Sequence, residues 1–83
     1  MKVGERVVWR RVDDSVVAVQ MTDGAVFELE GPAARIWELL CEGRGRDDIA
    51  SDLMGEYEVD STTLERDLSR TLDDLADAGL LDR

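Results

Sequence analysis

The chain has no histidine and a single cysteine, Cys41, among its 83 residues. Those scarcities exclude a disulfide framework, a Cys/His zinc site and a Cys–His catalytic pair within it. Proline occurs once, at Pro32, and aromatics are few: two tryptophans, one tyrosine, one phenylalanine. No apolar run approaches the roughly 20 residues that cross a bilayer. The N-terminal MKVGERVVWRRV lacks the apolar stretch of a signal peptide. A cytoplasmic protein is therefore expected. Basic residues are also scarce, 10 against 20 acids, for a net charge of −10. The deficit lies in the C-terminal half: residues 1–46 hold 8 acids and 7 bases, residues 47–83 hold 12 acids and 3 bases. Phosphate backbones and anionic lipids are held by Lys and Arg, so nucleic acid and membrane are not expected as partners.

A chain of this length is one domain, residues 1–83. It buries only about 60–65% of its unfolded surface, and such a core supplies a net of about 3–5 kcal/mol. Cys41 falls near the apolar face of the first predicted helix and reads as a small buried side chain.

The residues that are present organise around Asp23–Leu40. Asp23-Gly24 is a hairpin turn. Ala25–Leu29 alternates as a half-buried strand, with Ala25, Phe27 and Leu29 inward and Val26 and Glu28 outward. Gly31-Pro32 then starts a helix, proline fitting the first helical position. Upstream, Arg6–Val12 is a first strand, with Val8, Arg10 and Val12 on one face and Val7, Trp9 and Arg11 on the other. Both faces carry apolar groups. Asp13-Asp14-Ser15 is a turn. Val16–Met21 is a second strand, with Val17, Val19 and Met21 sharing one face, Ala18 and Gln20 the other. Three strands joined by tight turns form an antiparallel meander.

Three helices follow. The first, from about Pro32 to Glu42, sets Ala33, Ile36, Trp37 and Leu40 in a stripe and stops at Gly43 and Gly45. The second, Arg46–Gly55 or a little longer, carries Asp47 and Asp48 in its first turn and Ile49, Leu53 and Met54 on its apolar side. Tyr57 and Val59 are buried pegs in the connection. The third starts at the N-cap Asp60 and ends near Ala78, with Gly79 as the left-handed cap. Its buried stripe is Leu64, Leu68, Thr71, Leu72 and Leu75, flanked by Asp67 and Asp74. Leu80 and Leu81 fold back under the sheet or the helix end. The fold class is α+β, and the order of three strands then three helices matches a winged helix-turn-helix plan.

Catalytic chemistry has little to stand on. Without histidine a base would be a carboxylate, Tyr57, Lys2 or the thiol. Lys2 lies in a frayed terminus, Tyr57 is packed, and Asp67 with Asp74 reads as helix-surface charge rather than a metal pair. Gly43-Arg44-Gly45 has neither the spacing nor the preceding strand of a phosphate cradle. No enzyme, metal or cofactor is expected. A winged helix suggests DNA, but the third helix carries Glu65, Asp67, Asp73, Asp74 and Asp77 against Arg66 and Arg70, which repels phosphate. The alternative surface is the open edge of the third strand, where an extended peptide can pair. The groove between that edge and the third helix would be floored by Leu68, Thr71, Leu72 and Leu75, with Asp67 and Asp74 on its rim.

The run Gly24-x-x-Phe27-x-Leu29, Ala33/Ala34, Ile36-Trp37-x-Leu39-Leu40 resembles PqqD-like proteins. So does the later set Asp48-Ile49, Leu53, Tyr57-x-Val59, Leu64, Asp67-Leu68, Leu72, Leu75 and Gly79-Leu80-Leu81. The resemblance spans about residues 5–82. It implies a leader-recognition element for ribosomally made, post-translationally modified peptides. In that family the precursor's leader lies as an added antiparallel strand on strand three, against the third helix, and is presented to separate modifying enzymes. Size and pattern look most like the stand-alone leader-binding protein of lasso-peptide biosynthesis. Its partners are a leader peptidase and a cyclase, and its leaders carry a Tyr-x-x-Pro-x-Leu-like motif. Carried over by position, the peptide site comprises Ala25, Val26, Phe27, Glu28 and Leu29 with Leu64, Asp67, Leu68, Thr71, Asp74 and Leu75. Gly31-Pro32 stands where many relatives have a polar turn, which favours the lasso assignment over the PQQ pathway. A PqqD-type chaperone of another peptide pathway and a winged-helix DNA-binding regulator are the alternatives.

Overall fold

Two tight turns lay three strands side by side. A computed structural model of the chain describes residues 2–82. After a two-residue strand, β1 (Lys2–Val3), come β2 (Val7–Val12), β3 (Ser15–Gln20) and β4 (Ala25–Glu30). The last three form one antiparallel sheet in the order β2-β3-β4. Asp13 takes a positive φ of 56° in the first turn, a conformation that Asp tolerates better than most residues. In the second turn the Asp23 carboxylate accepts from the Ala25 N–H at 3.0 Å.

The faces of β4 are those expected: Ala25, Phe27 and Leu29 are half-buried, Val26 and Glu28 exposed. On β3 the more apolar face is not the covered one. Val16 and Ala18 are fully buried, whereas Val17 and Val19 are only partly covered and Met21 is 57% exposed. Valines occupy both sides of the strand, so alternation alone does not choose the inner face. Pairing does: Ala18 lies between Trp9 and Phe27, and Val16 between Arg11 and Leu29. That puts Val7, Trp9 and Arg11 on the inner face of β2, and Val8, Arg10 and Val12 on the outer one.

The helices are α1 (Pro32–Cys41), α2 (Arg46–Glu56) and α3 (Ser61–Asp77). Gly31 is the N-cap of α1, at φ 57° and ψ −131°, backbone that only glycine adopts cheaply. That hinge converts strand into helix within one residue. The buried side of α1 is Ala34, Ile36, Trp37 and Leu39 rather than a stripe through Ala33 and Leu40. Cys41 is exposed, not buried. On α2, Ala50 joins Ile49 and Leu53 inside, and Met54 is out at 43% exposure. α3 buries Leu64, Leu68, Leu72 and Leu75, with Thr71 half-buried. At its end Gly79 takes φ 79°. Its N–H donates to the Ala76 carbonyl and that of Leu80 to the Leu75 carbonyl, the paired bonds of a Schellman cap. Trp37 sits wholly buried in the shared core and meets Trp9 edge-to-face, centroids 6.4 Å apart.

Lys2 is not frayed. A fifth strand, β5 (Leu81–Asp82), pairs antiparallel with β1, Lys2 opposite Asp82 and Val3 opposite Leu81. The Gly4 N–H donates to the Leu80 carbonyl at 3.0 Å, and Gln20 Nε2 to the Gly79 carbonyl at 2.6 Å. The end of α3 is thereby tied to the end of β3, and Leu80 and Leu81 are buried. The result is an α+β fold: antiparallel sheets and three helices.

Ion pairs join the layers from outside. Arg11 on β2 grips Glu38 of α1 through two bonds of 2.8 and 2.7 Å. Arg35 of α1 reaches Glu56 at the end of α2 at 3.0 Å, and Arg46 of α2 reaches Glu65 of α3 at 2.9 Å. Arg11 holds the Glu38 carboxyl below the usual carboxylate range. The Thr63 N–H does the same for the Asp60 cap. Both groups have lower pKa values folded than unfolded. Their stabilisation is therefore complete above the unfolded value, near 4, and is lost as pH falls through the depressed folded values. We expect Tm to drop as pH is lowered from about 5 toward about 3, and Glu38→Gln to flatten that acid limb in thermal melts.

Candidate binding site

β4 is an edge strand, since β3 pairs with it on one side only. Which of its backbone groups are free follows from ladder parity. The Met21 N–H donates to the Arg6 carbonyl at 2.7 Å, and the two-residue turn closes on the Val12–Ser15 pair. Alternate residues of a central strand serve alternate neighbours. Ser15, Val17 and Val19 therefore bond toward β2, and Val16 and Ala18 toward β4. Their partners Leu29 and Phe27 spend their N–H and C=O groups inside the sheet. Val26 and Glu28 hold theirs at the open edge. The Glu28 and Glu30 side chains lie on one side of the strand, and Glu30 raises the Glu28 pKa, by a hydrogen bond to the protonated Glu28 carboxyl and by like-charge repulsion.

Past the end of β4 the chain walls a cleft of about 290 Å³. Its lining comes from three places: Pro32 and Ile36 at the start of α1; Leu53, Tyr57, Glu58 and Val59 around the end of α2; and Leu64, Asp67, Leu68 and Thr71 on α3. Four of the residues expected from sequence thus meet here. Leu64 and Leu68 belong also to the core, at 8% and 0% exposure, and form the floor. Ala25–Leu29, Asp74 and Leu75 lie outside the cleft lining. Leu75 is buried and Asp74 exposed on the same helix.

The two parts approach one another at Pro32. The end of α3 is anchored at Gly79 to Gln20, which pairs with Ala25 at the start of β4. The middle of α3 shares the cleft with Pro32, two residues beyond the end of β4. α3 therefore runs in the opposite direction to β4. Not expected from the sequence as lining are Pro32, Ile36, Leu53, Tyr57, Glu58 and Val59. Tyr57, taken as a buried peg, is 38% exposed, and its position in a connection rather than a periodic helix was the available signal. The cleft is mainly apolar with acids at its margin. Among the described residues neither the Glu58 nor the Asp67 side chain has an ion-pair partner.

Cys41 offers no nucleophile at neutral pH. Partial burial of its sulfur, with Glu38 and Glu42 nearby, pushes the thiol up to about 11, so it stays protonated.

Residues 15–81 match the family described as coenzyme PQQ synthesis protein D (PqqD). The chain belongs to the PqqD family. No curated protein matches it. Among solved structures, this PqqD-family chain is similar to TbiB1 in complex with the TbiA(beta) leader peptide. The two are 40% identical with a TM-score of 0.96, over 99% of this chain and 95% of the other. It is also similar to a lasso peptide synthetase B1 complexed with the leader peptide, at 27% identity and a TM-score of 0.89, over 99% and 96% of the two chains. The PqqD-like pattern read along Gly24–Leu40 and Asp48–Leu81 is thus that of the family itself.

Proposed function

We propose that this PqqD-family chain is a non-catalytic recognition domain for the leader of a ribosomally made precursor peptide, of the lasso-peptide type. The domain, residues 1–83, has a winged helix-turn-helix plan turned to peptide rather than DNA. The leader adds as an antiparallel strand to the open edge of β4, using the backbone groups of Val26 and Glu28. Its apolar side chains enter the cleft against α3 over Leu64, Leu68 and Thr71, with Phe27 and Leu29 backing the strand and Asp67 and Asp74 alongside. The domain then delivers the precursor, in the cytoplasm, to a separate leader peptidase and a cyclase. The observation that carries this reading is the open edge of β4 beside an apolar cleft, on a chain this similar to proteins solved with leader peptides bound.

The family description names PQQ synthesis, whereas both similar structures hold leader peptides, one of them explicitly in a lasso peptide synthetase. Titration separates the two pathways: a fluorescent lasso-type leader binds in a one-to-one complex, and a PQQ-precursor leader does not. An Asp67→Lys chain is expected to bind the lasso-type leader several-fold more weakly, because a cation replaces an unpaired carboxylate at the cleft margin. A loss of about 1 kcal/mol, near fivefold, is typical for a charge at a partly solvated rim. If neither leader binds in anisotropy, leader recognition is wrong.

A further inference from the structure

A strand added to β4 has two faces, and β4 sets the chemistry beside each. Phe27 and Leu29 are half-buried toward the helices, whereas Val26, Glu28 and Glu30 are exposed on the other side. Residues directly opposite one another in an antiparallel ladder share a face. Ladder parity turns the N–H and C=O of Glu28 to the open edge. A ligand residue opposite Glu28 exchanges both backbone bonds with it, Cα atoms about 5.5 Å apart. Its side chain then stands on the outer face, about 5 Å from Glu28 between Cβ atoms, with Glu30 on the diagonal at about 7–8 Å.

The chain brings no cation of its own to that place. Among the described residues neither Glu28 nor Glu30 forms an ion pair, whereas Glu38, Glu56 and Glu65 each hold an arginine. Arg10 lies in the same cross-strand row, Arg10–Val17–Glu28, but two strand spacings away, about 9.6 Å, and no ion pair joins the two. Glu28 has a second acid, Glu30, as its neighbour instead. A strand laid along the edge takes water from both carboxylates, and a dehydrated charge without a partner is costly. An acid opposite them adds repulsion and a cation relieves it. The net charge of −10 favours a cationic ligand at longer range.

We propose that Glu28 selects the peptide by charge: the added strand carries a Lys or Arg directly opposite Glu28, on the face turned away from the helices. The inference rests on the leader-recognition reading and deepens it, because it names a side chain the precursor must bring besides the apolar ones that enter the cleft. The residues on either side of that cation lie opposite Phe27 and Leu29 and turn inward, so the ligand reads apolar, cation, apolar at this point. Glu28 is thus a specificity-determining residue through its side chain as well as through its backbone.

The test uses the full chain and the fluorescent lasso-type leader, together with leaders in which each Lys or Arg in turn is replaced by Glu. Glu28→Gln is expected to bind the unaltered leader about threefold more weakly, and Glu28→Lys about tenfold, as loss and then reversal of a cross-strand charge pair. The deficit of Glu28→Lys should shrink between about 50 and 500 mM salt. One leader substitution should cost the wild-type chain about tenfold and be largely rescued by Glu28→Lys. Glu42→Lys makes the same change in net charge at the far end of α1; it should stay within about twofold and rescue nothing. Thermal melts check folding, and if Glu28→Lys melts early, the threefold loss in Glu28→Gln carries the test. Charge selection is overturned, with leader recognition intact, if the wild-type chain binds leader and neither Glu28 variant weakens it. Rescue at no leader position, or a loss matched by Glu42→Lys, overturns it too, as does tight binding of a leader without Lys or Arg. A wild-type chain that binds none of these peptides sinks the leader-recognition reading and this inference with it.

Discussion

A Val26→Pro chain is expected to fold normally and to bind leader peptide about tenfold more weakly or worse. Val26 is exposed on an edge strand, and ladder parity leaves its N–H outside the β3–β4 pairing. Proline is tolerated where that group faces away from the sheet. It removes the donor and puts ring bulk where a ligand strand must approach. One backbone hydrogen bond is worth a net of about 0.5–1.5 kcal/mol, and the steric conflict adds to it. The neighbouring substitution Phe27→Pro is the internal control. Phe27 pairs with Ala18 inside the sheet, so proline there should destroy the fold itself. Anisotropy with a labelled leader and a thermal melt read both effects. Native melting with unaltered affinity in Val26→Pro would remove strand addition from consideration.

The second large effect is on stability. Trp37→Ala is expected to leave no cooperative melt at room temperature by far-UV circular dichroism. Trp37 is wholly buried and meets Trp9 edge-on. Replacing a buried tryptophan by alanine costs about 3–5 kcal/mol, which is the whole margin of about 3–5 kcal/mol for a core this small. Trp37→Phe should be much milder. The Trp37 indole N–H is buried without a hydrogen-bond partner, and an orphaned buried donor costs about 1–3 kcal/mol. Phenylalanine removes that cost along with some volume. A wild-type-like melt for Trp37→Ala would mean the core is held elsewhere.

Much of the architecture was readable along the chain. The turns at Asp13-Asp14 and Asp23-Gly24, the Pro32 helix start, the Asp60 cap and the Gly79 stop all lie at or within a residue of the element ends seen. The α3 stripe of Leu64, Leu68, Leu72 and Leu75, with Thr71 half-buried, follows from helical spacing. The misplacements share a cause. Helical spacing points to Ala33 and Leu40 where the structure buries Ala34 and Leu39, because α1 is apolar around much of its circumference. Met54 and Tyr57 are apolar yet exposed, so apolar character alone does not place them inside. The partner of Lys2, Asp82, lies at the far end of the chain, beyond the reach of local pattern. Of the site, Leu64, Asp67, Leu68 and Thr71 were legible as one helix face. The opposite wall, with Pro32 and Tyr57, was not.

The order of elements, their caps and the family pattern are properties of the sequence alone, because turn chemistry, capping and periodicity act within a few residues. Three things were left to tertiary structure: which side of a two-faced valine strand is covered, which acids find arginines, and which segments wall the cleft. Each depends on packing between residues distant in the chain, and a strand with valine on both sides satisfies either orientation until its neighbours arrive.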